Sequence, residues 1–270
     1  MITEYSSQSD VLDIAQTGAV RQLILNRPAA LNAFDLQLQE SLRAAVDDAA
    51  HDDAVRCVVL TGRGRMFSAG ADISLDDLDS GTRLAPRTEE ELRMRYNPTV
   101  RALRTMDKPV IAAVNGSAVG LGCALAMACD QVVAAESAWF SLAFAKVGLT
   151  LDGGASLLIG ARIGIGRATR MAMLGTKVDA ATARLWGMVD EVVPDDELDA
   201  HASALAEALA AGPTAAFAAT KRSLNTALLG RLDAAFETEV AGQTSLVDAA
   251  DFREGVAAFT QRRPPVFTGR

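Results

Sequence analysis

Histidine is the scarcest of the chemically versatile side chains in this 270-residue sequence: there are two, His51 and His201. His51 stands beside Asp52 and Asp53, and His201 lies in a polar, helix-like stretch. Neither sits in a pocket motif, so a Ser-His-Asp triad has nothing to rest on. Cysteine is nearly as rare. Cys57, Cys123 and Cys129 are odd in number, lie in apolar runs and form no CxxC. That excludes a thiolate zinc site and predicts reduced core thiols in a cytoplasmic protein, with no metal. No GxxxxGK[ST] occurs, which excludes a P-loop. The stretch Asn115-Gly116-Ser117-Ala118-Val119-Gly120 misses the GxGxxG spacing and follows a mid-chain strand, which argues against a dinucleotide site. No basic start leads into an apolar core, so no secretory signal is expected. Apolar runs are broken by charge or glycine before they reach membrane-spanning length. A formal charge of −8 argues against nucleic acid as the main partner, though local basic patches can still bind a phosphorylated small molecule.

What is present is a large apolar fraction, 50% of residues, enough to bury one extensive core. Two glycine turns stand out against it. Phe67-Ser68-Ala69-Gly70-Ala71-Asp72 follows the strand-like Cys57-Val58-Val59-Leu60, and Asn115-Gly116-Ser117-Ala118-Val119-Gly120-Leu121-Gly122 follows Val110-Ile111-Ala112-Ala113-Val114. Each turns through glycine toward a helix start, where backbone N–H groups lack intrahelical partners. Brought together, two such turns aim two donors at one oxygen, which is the geometry of an oxyanion hole.

The first half of the chain alternates strand and helix signals. A hairpin over Val11–Ala15 and Val20–Asn26 precedes a helix over Leu36–Ala50, a strand over Arg56–Thr61 and a charged helix over Thr88–Met106. The 72–88 stretch between them, rich in Asp, Ser and Gly, reads as a mobile loop. From about Gly153 the pattern is nearly all helix, and the stripe Leu224, Leu228, Leu232, Phe236 can cover either its own core or a neighbouring subunit. An α/β core with a helical appendage follows. Asp152, in Gly148-Leu149-Thr150-Leu151-Asp152-Gly153-Gly154, has two open readings. It can cap the helix that opens near Ala155, or its apolar setting can raise its pKa and make it a general base. Asp72 and Asp130 read as turn residues bonded to backbone.

The succession Leu25-Asn26-Arg27-Pro28, Leu31-Asn32-Ala33-Phe34, Ser68-Ala69-Gly70-Ala71-Asp72 and Pro109-Val110-Ile111-Ala112-Ala113-Val114-Asn115-Gly116 resembles the enoyl-CoA hydratase/isomerase (crotonase) superfamily, from about Tyr5 to Phe267. Asp251-Phe252-Arg253-Glu254-Gly255-Val256 with Phe267-Thr268-Gly269 resembles its epoxyphenylacetyl-CoA isomerase branch. The resemblance implies a spiral of strand-strand-helix units, with an acyl-CoA-binding core over 1–200 and a C-terminal helical trimerisation region over 201–270. It implies an acyl-CoA thioester substrate, no cofactor beyond the CoA moiety, and a homotrimer or dimer of trimers.

By motif position the oxyanion donors are the backbone N–H groups of Ala71 and Leu121, the latter where hydratases usually carry glycine. The two hydratase glutamates fall on Ala124 and Phe144, which neither activate nor protonate water. Asp152, eight residues beyond Phe144, falls where family isomerases place a catalytic aspartate. One base and an apolar pocket without a second carboxylate suit an isomerase. CoA is expected along Arg27-Pro28-Ala29-Ala30-Leu31 and at Ala69, Gly70 and Asp72, with Arg27, and more remotely Arg262 and Arg263, facing its phosphates. The pocket lining is expected from Ala124, Phe144 and the 72–96 segment. A dehalogenase-like chemistry with a nucleophilic aspartate and a non-catalytic acyl-CoA-binding protein are the alternatives. A ring-closing synthase would need more tyrosines than Tyr5 and Tyr96.

Overall fold

The computed structural model describes residues 3–4, 10–72 and 83–270. Most of the 72–88 loop, and Tyr5, lie outside the described residues. A short strand β1 (Thr3–Glu4) pairs with β2 (Leu12–Thr17), which forms a hairpin with β3 (Val20–Leu25) through a two-residue turn at Gly18, φ +56°. From β3 onward the large sheet is parallel. β4 (Cys57–Gly62), β6 (Val110–Val114), β8 (Gln131–Ala135) and β11 (Glu191–Val193) add in turn, giving the order β1-β2-β3-β4-β6-β8-β11.

Three of these strands are each followed at once by a short strand in a second sheet: β5 (Met66–Ser68) after β4, β7 (Ser117–Val119) after β6, and β9 (Trp139–Ser141) after β8. β5, β7 and β9 run parallel, and β10 (Val178–Asp179) closes the edge antiparallel to β9. Helical segments then lead toward the next turn, so the chain winds as the expected strand-strand-helix spiral. The large sheet is covered on both faces, which is why β6 is buried along its whole length and reads as an unbroken apolar run.

The helix expected over Thr88–Met106 is interrupted. Helices Ala85–Glu91 and Asn97–Thr105 are joined by a π-turn, Leu92–Tyr96, in which the Asn97 N–H reaches back to the Leu92 carbonyl. Pro98 supplies the physical reason: it has no N–H to give a carbonyl four residues back, so the ladder shifts register ahead of it. The C-terminal stripe also divides. Leu232 and Phe236 are buried in the main core, whereas Leu224 and Leu228 are 52% and 66% exposed on the preceding helix.

The helix Thr214–Leu229 is tied down by charge instead. Its buried Lys221 meets Asp130 Oδ2 at 2.7 Å, and Arg104 meets Asp130 Oδ1 at 3.0 Å, while the same Oδ2 accepts from the Val110 N–H at 2.9 Å. Asp130 therefore joins two helices to the edge of β6. Removing one partner of a buried pair leaves the other charge uncompensated, at a cost of about 3–5 kcal/mol. Asp130→Ala is accordingly expected to lower unfolding stability by about that amount in urea titration. A loss below about 1 kcal/mol would mean that Lys221 and Arg104 find other partners.

Candidate active site

β5 and β7 are neighbours in the small sheet, and both end in a turn through glycine, Gly70 at φ +93° and Gly120 at φ +54°. A Cβ on Gly70 would lie 2.9 Å from the Val119 carbonyl oxygen and 3.4 Å from the Leu121 nitrogen. The two turns can touch only because residue 70 has no side chain. Ala71 forms a parallel bridge with Phe34, in which the Phe34 N–H donates to Gly70 O at 2.8 Å and the Asp72 N–H donates to Phe34 O at 3.2 Å. Phe34 thus bonds the neighbours of Ala71, and the Ala71 N–H faces the other way with no acceptor among the described residues. Leu121 opens a wholly buried helix, Leu121–Ala128, with no side-chain cap, and its N–H is likewise without an acceptor there. Ser68 braces the first turn: its Oγ donates to Asn32 O at 2.8 Å and accepts from the Gly70 N–H at 3.1 Å.

The turn that carries Asp152 packs on the helix that opens at Leu121. A Cβ on the adjacent Gly153 would meet Leu121 Cδ1 at 2.9 Å and Ala124 Cβ at 3.3 Å. The Asp152 side chain does not cap the helix Ala155–Ile163. That place is taken by Glu239, whose carboxylate accepts from the Gly154 N–H at 2.7 Å and the Ser156 N–H at 2.9 Å. Of the two readings of Asp152, the cap is thereby excluded. The carboxyl is 6% exposed; Oδ2 accepts from Gln243 Nε2 at 3.0 Å, and Oδ1 has no partner among the described residues. Burial first, and the nearby Glu239 carboxylate second, push its pKa up to about 7, against the opposing hydrogen bond from Gln243.

Ala71 and Asp152 line one cavity of about 450 Å³, with Phe34, Tyr96, Leu149 and Phe252 in its walls. Two expectations change here. Phe144 is not in this wall; it lies behind Gly120, 3.6 Å from where a Cβ would stand, and faces a separate apolar cavity of about 610 Å³ with Leu151, Ile165 and Met173. Nor is Asp152 the sole carboxylate, because Asp35, Asp72 and Glu91 also line the cavity. These three are paired: Glu91 with Arg87 at 3.0 Å, and Asp35 and Asp72 each with Arg27 at 3.0 Å. Leu121 and Ala124 are buried in the core, and their side chains are not part of the cavity lining.

The expected CoA-binding segment forms a 3-10 turn, Pro28–Ala30, followed by Leu31 and Asn32 at φ +56° and +54°. Buried Asn32 holds this left-handed pair by donating to Arg63 O at 2.9 Å and Met66 O at 2.8 Å. Ala29 is exposed, and Ala30, Leu31 and Ala69 are half-buried. Arg27 is already shared between two carboxylates, so a phosphate would have to compete for it. Arg263 is bound by both oxygens of Glu254, at 2.6 and 2.7 Å, and Arg262 lies exposed beside it. The histidines stand apart, His51 against Asp47 O and His201 against Glu191 at 2.8 Å. Glu239, Gln243, Gln39 and Phe252 were not anticipated from sequence. Their signal was polar residues on an apolar helical stripe, as in Phe236, Glu239, Val240 and Gln243.

A strand-strand-helix spiral with two N–H groups that have no acceptor among the described residues, and a buried carboxyl, defines an enzyme of the crotonase fold. The chain belongs to the enoyl-CoA hydratase/isomerase family, whose profile matches residues 15–270. It is 41% identical to the 1,2-epoxyphenylacetyl-CoA isomerase of Escherichia coli, over 93% of this chain and 95% of that protein. It is also 41% identical to a probable enoyl-CoA hydratase of Rhodobacter capsulatus, over 92% of this chain and 94% of the relative. The crystal structure of an enoyl-CoA hydratase from Mycobacterium avium subsp. paratuberculosis superposes with a TM-score of 0.87 at 40% identity, covering 96% of this chain and 99% of that one.

Burial of Asp152 has a thermodynamic consequence. A carboxyl whose pKa rises from 3.8 to about 7 on folding is protonated in the folded state while it ionises in the unfolded chain. Stability is then fully present below about pH 4 and lost as pH rises toward 7. Asp152→Asn is expected to be more stable than the parent by roughly 2–4 kcal/mol at pH 8, the gap closing near pH 4. Urea denaturation at the two pH values tests this, and a gap independent of pH would contradict it.

Proposed function

We propose that this chain isomerises acyl-CoA thioesters with Asp152 as its single base, shifting a double bond from 3-enoyl-CoA to 2-enoyl-CoA or carrying out the related isomerisation of an epoxyphenylacetyl-CoA. The observation that supports this best is that Asp152, whose Oδ1 has no partner among the described residues, lines the same cavity as Ala71. The Ala71 and Leu121 N–H groups bind the thioester oxygen. Asp152 removes a proton from C2, the negative charge moves onto that oxygen as a dienolate, and the same carboxyl returns the proton to C4. Losing one such donor typically costs about 2.7–4 kcal/mol of transition-state stabilisation.

Hydration by the family's two-glutamate route is disfavoured. Ala124 and Phe144 carry no carboxyl, and both oxygens of Glu239 are occupied by backbone N–H groups. A dehalogenase-like route lacks a histidine at the cavity. A non-catalytic acyl-CoA-binding role leaves the raised pKa and bare oxygen of Asp152 without a use. CoA is taken along Arg27, Ala29–Leu31 and the Ala69–Asp72 edge. Assembly as a homotrimer or dimer of trimers would cover apolar side chains such as Leu224, Leu228, Leu174 and Leu185, all exposed in the single chain.

The test is conversion of 3-hexenoyl-CoA to 2-hexenoyl-CoA, followed by the ultraviolet absorbance of the conjugated thioester. Asp152→Asn is expected to lower kcat by roughly 10²–10⁴-fold. Because the base must be ionised, kcat/KM of the parent should rise with pH and level off above about pH 7. An unchanged rate in the variant would falsify the assignment of Asp152.

A further inference from the structure

Among the described residues the cavity holds a second hydrogen-bonding group that the isomerisation does not use. Tyr96 is 6% exposed, lines the cavity and is presented by the π-turn that Pro98 imposes. π-turns inside helices recur at functional sites. Gln39 fixes the sense of the Tyr96 hydroxyl. Its Oε1 accepts from Arg95 Nε at 3.0 Å, so its amide nitrogen must face Tyr96, and Nε2 donates to the phenol oxygen at 2.8 Å and to Phe34 O at 3.2 Å. With Gln39 as donor, the phenol proton is directed elsewhere, and nothing among the described residues accepts it.

The ring is locked as well as the hydroxyl. Tyr96 meets Phe34 edge-on, with centroids 6.5 Å apart at 82°, and Phe34 is the residue whose backbone brackets Ala71. Tyr96 is therefore braced against the strand segment that carries one oxyanion donor. Burial, reinforced by Glu91 and Asp152, holds its pKa well above 10, which keeps the phenol protonated as a donor at neutral pH. Asp152, whose buried Oδ1 has no partner among the described residues, lines the same cavity, and the two groups do not bond each other. An occupant lying between them can give a proton to Asp152 and offer an oxygen to Tyr96. A hydrocarbon acyl chain does only the first and leaves a buried donor unpaired.

We propose that Tyr96, positioned by Gln39 and Phe34, is a specificity-determining hydrogen-bond donor, and that the site selects acyl-CoA thioesters whose acyl group carries an ether or epoxide oxygen near the reacting carbons. This rests on the reading of the cavity as the acyl site.

The experiment uses non-reacting isosteres: cyclohexylacetyl-CoA against the tetrahydropyran-2-yl, -3-yl and -4-ylacetyl-CoA esters, with binding measured by calorimetry. The parent protein is expected to bind one ring ether at least about 10-fold more tightly than the hydrocarbon. Tyr96→Phe, which keeps the ring against Phe34, should reduce that ratio to near 1, and Gln39→Leu should lose part of it. Equal binding of all four esters by the parent, or an unchanged ratio in Tyr96→Phe, overturns the role of Tyr96 alone. If no ester binds more tightly than CoA itself, the acyl-site reading falls and this proposal with it.

Discussion

The chemistry of this molecule depends on which carboxylate caps the helix Ala155–Ile163. A helix N-terminus buried in the core must find acceptors for its first N–H groups, and the nearest acid in sequence is Asp152. Had Asp152 met that demand, its oxygens would be consumed and its pKa pulled down by backbone donors. Glu239 meets it from another helix, through both oxygens. That substitution leaves Asp152 buried, half-partnered and with its pKa pushed up to about 7. Glu239 also adds a like charge that pushes the same pKa upward, so the capping residue tunes the carboxyl that it frees.

The rest of the site follows from keeping three turns in contact. Gly70 lets the first turn reach the Leu121 nitrogen, Gly153 brings the Asp152 turn onto Leu121 and Ala124, and the small sheet sets β5 beside β7. Leu121 therefore stands at the head of a wholly buried helix, whereas Ala71 lies at an exposed turn held to it through Gly70. Preorganised donors of this kind are worth more than mobile ones, because no reorganisation is needed when charge develops.

Much of this was legible in the sequence, and the part that was not has a consistent cause. The strand over Val110–Val114 and the helix over Leu36–Ala50 fall where the sequence pattern places them, because buried parallel strands and amphipathic helices leave continuous local signals. The glycine turns were visible because close approach demands glycine. Asp152 was visible but ambiguous: a cap and a base differ only in what a residue 87 positions later in the chain does, and no local pattern contains that. The interruption of the Thr88–Met106 helix was missed because the helical pattern was read straight through Pro98, whose missing N–H breaks the ladder at an interior position. Phe144 was assigned to the reacting pocket from motif position, whereas the chain turns it behind Gly120.

The two ends of the cavity are built differently. Around Ala71 and Asp152 the wall includes Phe34, Leu92 and Tyr96, which belong to the main core. The outer end rests on a small satellite cluster, Val247, Phe252 and Val256, against which Leu84, Ala85 and Leu149 pack. That cluster is held by polar clamps. Asp248 accepts from the Leu84 N–H at 2.7 Å, Asp251 accepts from the Thr268 and Gly269 N–H groups at 2.7 Å, and Glu254 accepts from Arg263 and the Val266 N–H. The acidic residues of the Asp251–Val256 motif thus fasten the chain end to the helix that supplies Phe252. A wall made of a few side chains tied by exposed carboxylates can change shape without disturbing the core. The wall supplied by the main core cannot. This division lets one fold keep its core fixed while the outer wall of the cavity varies.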